Sequence, residues 1–248
     1  MINKSTVKYI QSLQHKKFRD EHGAFIAEGP KVVTELLQHN IFECEQLYCN
    51  DSGFKSLSDN LKKKYEANIL EVADFELEKI SALSTANNML AVFKKKPILE
   101  RINISQKLTL FLDDIQDPGN LGTIIRTADW FGVDTIFCSL ATADCYNPKV
   151  VQSTMASLGS VNIIYGDIVQ ELQKQSNIKK YAAVLAGKNL EGFEKIKEGI
   201  LIIGNESKGI SSAVMKLVDE KITIPKTGHA ESLNAAVATG IILYALTK

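Results

Sequence analysis

Apolar segments that fit strands alternate along this chain with amphipathic segments that fit helices, and this alternation limits the fold more than any other feature. Strands separated by helices pair in parallel, so the sequence predicts an α/β protein with a mainly parallel sheet. Ligands of such sheets lie beyond the carboxyl ends of the strands. In the second part of the chain the predicted strands are Leu108–Leu112, Thr135–Cys138, Val161–Ile164, Tyr181–Leu185, Ile200–Ile203 and Lys221–Ile224. The predicted helices there are Leu121–Phe131, Pro148–Ser157, Asp167–Gln175, Ser211–Val218 and Leu233–Leu246.

The first part of the chain shows the same alternation on a smaller scale. A charged segment, Lys94–Pro97, follows its last predicted strand. We therefore predict a small α/β domain over residues 1–97, a linker over 98–106 and a second domain over 107–248. The predicted strands of the first domain are Ala24–Ala27, Gln46–Cys49, Asn68–Val72 and Leu90–Phe93, and its predicted helices are Lys4–Leu13, Pro30–Gln38, Lys55–Tyr65 and Phe75–Leu83.

Composition excludes several classes of protein. The formal net charge of the 248 residues is zero, so composition gives no sign of a nucleic-acid partner, although clustering of charge matters more than its sum. The four cysteines form no C-x-x-C pair and the four histidines form no H-E-x-x-H pair, so we expect buried reduced thiols and no metal site. The N-terminus lacks an apolar signal core and no apolar run is long enough to span a membrane. We expect a cytoplasmic protein.

The first polar loop, Asp113–Asn120, follows the strongly apolar strand and leads into a helix. Asn120 is expected to cap that helix. Arg126 follows among Leu121, Ile124, Ile125 and Ala128, and an arginine in apolar surroundings needs an anionic partner or ligand. The alternative is a surface arginine on an amphipathic helix.

The second loop, Gly204–Ile210, begins where another predicted strand ends. Gly204 would allow a cofactor to approach the backbone closely, and Gly209 permits a tight return. Glu206 would lie at the mouth of a site, where it could hold a hydroxyl or orient an arginine. A simple capped loop is the alternative.

The third segment reads as a buried strand, a turn that contains Gly228 and His229, and a small-residue helix opened by Ser232 and Asn234. Free backbone N–H groups at a helix start are where α/β folds hold ligands. The helix that follows is rich in alanine, which fits close packing as well as function. Alone, Ser232 fits an ordinary cap.

In order and spacing the three segments resemble the three motifs of the SpoU/TrmH family of RNA ribose 2′-O-methyltransferases, within the SPOUT class. The first resembles N-x-G-x-x-x-R, the second G-x-E-x-x-G, and the third I-P-x-x-G followed by S-L-N. The matching residues are Asn120, Gly122, Arg126, Gly204, Glu206, Gly209, Ile224, Pro225, Gly228, Ser232, Leu233 and Asn234. The segments His15–Arg19 and Gly23–Pro30 resemble the substrate-binding domain that often precedes the SpoU catalytic domain.

The resemblance implies a C-terminal trefoil knot, S-adenosylmethionine as cofactor and a homodimer. It implies cofactor contacts at Gly187, Gly204, Ile224 and Leu233. It implies catalytic roles for Asn120, Arg126, Glu206, Ser232 and Asn234, whereas His229 occupies a variable position.

Two chemical roles for Arg126 stay open. The family's arginine is proposed as the base that removes the ribose 2′-proton, yet a guanidinium keeps its proton in proteins. Alternatively, Arg126 stabilises the developing alkoxide and clamps a neighbouring phosphate. For RNA contacts in the first domain we predict Lys16, Lys17 and Arg19.

The substrate expected from the resemblance is RNA, with ribosomal RNA favoured over transfer RNA because of the fused first domain. Three alternatives stay open: methylation of a base, a non-catalytic RNA-binding assembly factor, and a Rossmann nucleotide-binding enzyme. The Rossmann alternative is disfavoured, because no G-x-G-x-x-G follows a predicted strand in this sequence.

Overall fold

The structure of the protein, a computed structural model, describes residues 1–97, 102 and 104–247. Its helices are α1 (Lys4–Ser12), α2 (Lys16–His22), α3 (Pro30–His39), α4 (Asp51–Ser56), α5 (Asp59–Lys64), α6 (Asp74–Ile80), α7 (Pro118–Trp130), α8 (Pro148–Thr154), α9 (Ile168–Lys174), α10 (Ser212–Met215) and α11 (Ala235–Thr247). Its strands are β1 (Ala24–Glu28), β2 (Cys44–Cys49), β3 (Ile69–Glu71), β4 (Met89–Lys94), β5 (Leu108–Asp113), β6 (Thr135–Ser139), β7 (Asn162–Gly166), β8 (Lys180–Asn189), β9 (Gly199–Gly204) and β10 (Glu220–Thr223).

The described residues fall into two compact units. The first unit comprises Met1–Pro97 and Tyr146–Gly159, and the second takes the described residues of Ile98–Cys145 and Ser160–Lys248. Most of the predicted linker, residues 98–101 and 103, lies outside the described residues. The predicted domain limits, residues 1–97 and 107–248, stay a prediction.

The first unit is built on a four-stranded sheet in the order β1-β4-β2-β3, in which only β2 and β3 run parallel. All five residues of β1 are buried, and the core on one side joins α1 and α6 to the sheet. The predicted helices of this unit were wrong in two places. The predicted helix Lys55–Tyr65 is two helices, because Ser58 caps α5 with its side chain while Leu57 is extended. Helix α2, which Gly23 ends in a left-handed conformation, was missed.

Nothing in the sequence pattern indicated that Tyr146–Gly159 packs within the first unit. The Tyr146 ring lies 4.8 Å from that of Phe25, centroid to centroid. The Lys96 ammonium donates to the carbonyl of Gly159 at 2.9 Å. Aromatic packing and a charge-assisted hydrogen bond therefore hold this segment, which contains α8, to the four-stranded sheet.

The second unit contains a six-stranded, all-parallel sheet in the order β10-β8-β9-β5-β6-β7. The predicted α/β class with a parallel sheet is therefore confirmed. All of β5 is buried, and the rings of Phe111 and Phe137 stack at 5.0 Å in the core. The predicted trefoil knot stays a prediction. The carboxyl ends of β5 and β9 lie side by side, since Asp113 pairs with Gly204.

All four cysteines are buried and none forms a disulfide, as expected. Burial raises the pKa of the Cys49 thiol to about 11, so this thiol stays protonated and poorly reactive at neutral pH. Among the described residues, no helix has both the length and the apolar content needed to cross a membrane.

Candidate active site

The loop after β5 carries the first group of site residues. Asp117, not Asn120, caps α7: its carboxylate accepts from the backbone N–H of Asn120 at 2.8 Å, and Pro118 occupies the first turn. The prediction that Asn120 is the cap was therefore wrong. Because Asp117 takes the capping position, the Asn120 side chain is left to make contacts outside its own helix.

The loop after β9 is a closed turn that brings Glu206 to the start of α7. Asn205 and Gly209 exchange two backbone hydrogen bonds at 3.0 and 2.9 Å, which close the loop. The Glu206 carboxylate accepts from the backbone N–H groups of Gln116 and Asp117 at 3.5 and 3.4 Å. Free N–H groups at a helix start attract acceptor oxygens, which the Glu206 side chain supplies.

The third loop, residues 224–234, forms neither helix nor strand. Asn234, rather than Ser232, caps α11: its side-chain oxygen accepts from the N–H groups of Ala236 and Val237 at 2.9 and 3.3 Å. The helix consequently begins at Ala235, two residues after its predicted start. Ser232 is exposed and makes no hydrogen bond to any residue that the structure describes.

Three side chains, one from each loop, form a continuous chain of hydrogen bonds. The Asn234 amide donates to the Asn120 side-chain oxygen at 2.8 Å, and the Asn120 amide donates to Glu206 Oε1 at 2.8 Å. Each direction is fixed, because Asn234 uses its oxygen to cap α11 and so presents its NH₂ group to Asn120. Asn120 must then present its own NH₂ group to the carboxylate. The N-terminus of α11 thereby sets the orientation of both side-chain amides, Asn234 and Asn120, in this series of hydrogen bonds.

Arg126 lies apart from this network. It is exposed on α7, and within the described residues it makes no ion pair or hydrogen bond. The expectation that apolar neighbours surround it was wrong, since the neighbouring Leu121, Ile124, Ile125 and Ala128 face the core on the other side of the helix. An exposed guanidinium of this kind is free to meet an anionic substrate.

The predicted cofactor residues have differing surroundings. A side chain on Gly204 would come within 2.4 Å of the backbone of Gly209 and Ile210, and one on Gly187 within 2.7 Å of the backbone of Lys221. The chain's own backbone, and not open space for a cofactor, thus explains why both positions are glycine. Ile224 is partly buried, whereas the Leu233 side chain is 48% exposed.

One apolar residue that the sequence analysis did not single out is Leu185, which is 76% exposed. Residues 183–187 leave the pairing of β8 with β10, because Lys221 pairs with Ala182 while Ile222 pairs with Lys188. The backbone carbonyl of Leu185 accepts from the Thr223 hydroxyl at 3.0 Å.

The predicted RNA contacts in the first unit divide into two kinds. Arg19 is buried, and its guanidinium donates to the carbonyls of Leu13 and Gln14 at 2.9 and 2.8 Å. It therefore stabilises the end of α1 and cannot reach RNA in this structure, so that expectation was wrong. Lys16 and Lys17 are exposed, with Lys16 paired to Asp20 at 2.8 Å.

The close approach at Gly204 yields a stability prediction. Gly204→Ala is expected to lower the free energy of unfolding by about 1–3 kcal/mol, because a methyl group would overlap the backbone of the same loop. Denaturant unfolding measures this loss. The control is Gly228→Ala, since no atom lies within 4 Å of the added carbon there. Equal stability of the two variants would contradict the close packing of this loop.

Comparisons with known proteins show which proteins the chain resembles. Residues 107–244 match the model of the SpoU rRNA Methylase family, and residues 4–91 match that of the MRM3-like substrate binding domain. The 23S rRNA (guanosine(2553)-2′-O)-methyltransferase RlmP of Bacillus subtilis is 31% identical over 97% of this chain and 95% of its own length. The 23S rRNA (uridine(2479)-2′-O)-methyltransferase of Streptomyces viridochromogenes is 28% identical over 94% of this chain and 85% of its own length.

Solved structures give the same result. An AdoMet-bound rRNA methyltransferase from Sinorhizobium meliloti superposes with a TM-score of 0.87 and 29% identity, over 99% of this chain and 95% of that chain. The SpoU methyltransferase AviRb from Streptomyces viridochromogenes, in complex with AdoMet, superposes with a TM-score of 0.84 and 25% identity, over 99% of this chain and 97% of that chain.

Proposed function

Because the chain belongs to the SpoU rRNA methylase family, we propose that this RNA ribose 2′-O-methyltransferase acts on ribosomal RNA, and that it does so as a cytoplasmic homodimer. The observation that carries the activity is the hydrogen-bond chain from Asn234 through Asn120 to Glu206, which joins all three predicted loops. The choice of ribosomal RNA is supported by two relatives, both named as 23S rRNA methyltransferases, that match nearly the whole chain.

The residues beyond the sheet fit S-adenosylmethionine. Exposed apolar side chains at Leu185 and Leu233 offer contacts for an adenine ring, and the irregular backbone of residues 224–234 offers polar groups for its edges. Gly187, Gly204, Ile224 and Leu233 would hold the cofactor, which supplies a methyl group already activated on a sulfonium. The Glu206 carboxylate adds the negative charge that suits a cationic ligand.

The chain's own residues then position and activate the ribose. A ribose hydroxyl is a poor nucleophile until its proton leaves, and in-line placement lowers the barrier further. We assign to Arg126 the stabilisation of the developing alkoxide together with a bidentate contact to the neighbouring phosphate, while the 2′-proton passes to the solvent water that reaches this exposed side chain. The sugar is oriented by the hydrogen-bonded side chains of Asn120, Glu206 and Asn234. The exposed hydroxyl of Ser232 contributes a further hydrogen bond to it. Lys16 and Lys17 are proposed to contact RNA phosphates.

The target is tested with labelled cofactor and separate ribosomal and transfer RNA fractions. We expect label in ribosomal RNA, on a ribose whose neighbouring 3′-phosphodiester resists alkaline hydrolysis. The 2′-O-methyl group removes the hydroxyl that would attack that phosphate. Label confined to transfer RNA would overturn the proposed target. Label that leaves every phosphate sensitive to alkali would indicate a methylated base. Mapping ribose methylation in cells with and without the gene then locates the nucleotide.

The homodimer is supported by an apolar surface on two neighbouring helices. Val237, Ile241 and Tyr244 are exposed at positions that share one face of α11, and the Tyr244 ring contacts that of Phe131 at 6.4 Å. On α7, Trp130 is 84% exposed. Exposed apolar side chains grouped on one helix face mark an interface, and a second copy would cover them with the same residues.

The double substitution Val237→Glu with Ile241→Glu is expected to convert the dimer into a monomer, because it places two charges in the proposed contact. Analytical ultracentrifugation measures the mass. Lys174→Glu, on the exposed surface of α9, serves as the control that keeps the dimer. A dimer that survives the double substitution would refute this interface.

A further inference from the structure

We propose that Asn205 is a positioning residue for methyl transfer, because its buried amide fastens the loop that carries Glu206 to the turn that leads into α7. This inference rests on the proposed function of the same site. Asn205 was not among the predicted site residues, and its hydrogen bonds are the evidence for this role.

Both ends of the Asn205 side chain are committed. Its NH₂ group donates to the backbone carbonyl of Asp114 at 2.8 Å, and its oxygen accepts from the N–H groups of Ser207 and Lys208, each at 2.9 Å. The residue is 9% exposed, so little water is present to replace these partners. The amide therefore has one orientation, with its donor directed from the second loop to the first.

The acceptor of this bond is at an unusual point of the backbone. Asp114 has a φ of 65°, in the left-handed region that residues other than glycine seldom adopt. Such a conformation persists only where its surroundings hold it. Two bonds do so here: Asn205 binds the carbonyl of Asp114, and the N–H of Asp114 donates to the Ser139 hydroxyl at 3.0 Å. The turn at Asp114 ends β5 and sets the path of the chain into α7.

Glu206 depends on this attachment because its own backbone contacts are long. The N–H groups of Gln116 and Asp117 approach its carboxylate only to 3.5 and 3.4 Å, so they restrain it weakly. The short contact, at 2.8 Å, is the one from the Asn120 amide. Keeping that contact requires a constant distance between the two loops, and the bond from Asn205 to Asp114 joins them directly. A catalytic constellation needs such support from neighbouring residues to stay within about 0.5 Å of its working geometry.

The test uses Asn205→Asp, Asn205→Ala and Glu206→Gln, with each Asn205 variant also made in the Glu206→Gln background. Asn205→Asp keeps the size of the side chain and the oxygen that accepts from Ser207 and Lys208, but it places a second oxygen against the Asp114 carbonyl. Asn3→Asp, the same substitution at the cap of α1, is the matched control. Circular dichroism checks that every variant is folded.

We expect Asn205→Asp to lower kcat at least 10-fold, with the KM values for cofactor and RNA changed less than twofold. In the Glu206→Gln background the same substitution should have little further effect, because the two residues act as one unit. Equal falls of kcat in both backgrounds, or no fall at all, would overturn the proposal. Asn205→Ala gives the same comparison if Asn205→Asp does not fold.

Hydrogen exchange of the Asp114 N–H, followed by NMR, provides a measurement that does not depend on activity. We expect at least 10-fold faster exchange in Asn205→Asp and no change in Asn3→Asp, because loss of the Asn205 bond frees the turn. Unchanged exchange would overturn the proposed attachment. If the unsubstituted protein transfers no methyl group, the proposed function fails while the exchange experiment still decides whether Asn205 holds the turn.

Discussion

Arg126→Ala is expected to lower the rate of methyl transfer about 100- to 1,000-fold, the usual cost of removing one group that stabilises developing charge. The physical reason is the proposed role of the guanidinium, which would compensate the charge that forms on the 2′-oxygen as its proton leaves. Single-turnover transfer from labelled cofactor to RNA measures the loss. Because the side chain is exposed and has no partner among the described residues, neither stability nor cofactor affinity should change.

The control for this prediction is Lys174→Ala, which removes an exposed cation from α9 of the same unit. A general loss of positive charge would weaken both variants similarly, whereas a specific role leaves the Lys174→Ala rate unchanged. Arg126→Lys separates stabilisation of the alkoxide by charge from the bidentate contact to the phosphate. An ammonium keeps the charge but not the bidentate geometry. A normal rate in Arg126→Ala would exclude both the base and the stabilising role.

Asn120→Asp is expected to reduce methyl transfer about 100-fold at pH 8, with partial recovery as the pH is lowered. The substitution replaces the amide that lies 2.8 Å from Glu206 with a second carboxylate. Two carboxylates this close cannot both be ionised at low cost, so the pKa of one of them is raised. Below that raised pKa the shared proton restores a donor to the contact, and above it the donor is lost.

The sign of the pH effect is what makes this prediction specific. The activity of Asn120→Asp, divided by that of the unsubstituted protein, should rise as pH falls. Profiles of kcat between about pH 5 and pH 9 measure this ratio. Asn147→Asp changes the cap of α8 in the first unit and should show a flat ratio. A flat ratio for Asn120→Asp as well would mean that Asn120 does not donate to Glu206 in the working enzyme.

Much of the site could be located from the sequence, because strand ends and helix starts leave local signals. Apolar runs marked β5 and β9, and the polar residues after each run marked the two loops. Which side chains meet could not be read in the same way. The contact of Asn120 with Glu206 joins residues 86 positions apart, and that of Asn234 with Asn120 joins residues 114 apart. No periodic pattern encodes contacts at such separations.

Local competition explains the errors over caps. Asp117 and Asn120 are both good capping residues, and so are Ser232 and Asn234. Only the folded loops decide which of each pair has the extended backbone that a cap requires. Arg19 shows the same limit for charge: a lysine- and arginine-rich segment predicts an exposed surface, yet this guanidinium is buried on the carbonyls at the end of α1.

The sequence alone determined the order of the strands and of most helices, together with the three polar loops and the residue types that they carry. Burial and chain reversal act over a few residues at a time, so they leave local signals. The tertiary structure decided which amide faces which acceptor, that Arg126 faces solvent, and that Asn205 joins two loops. Those features depend on the parallel sheet, which places the ends of β5 and β9 side by side. Hydrogen bonds reach only about 3 Å, so they form only after packing has brought distant segments together.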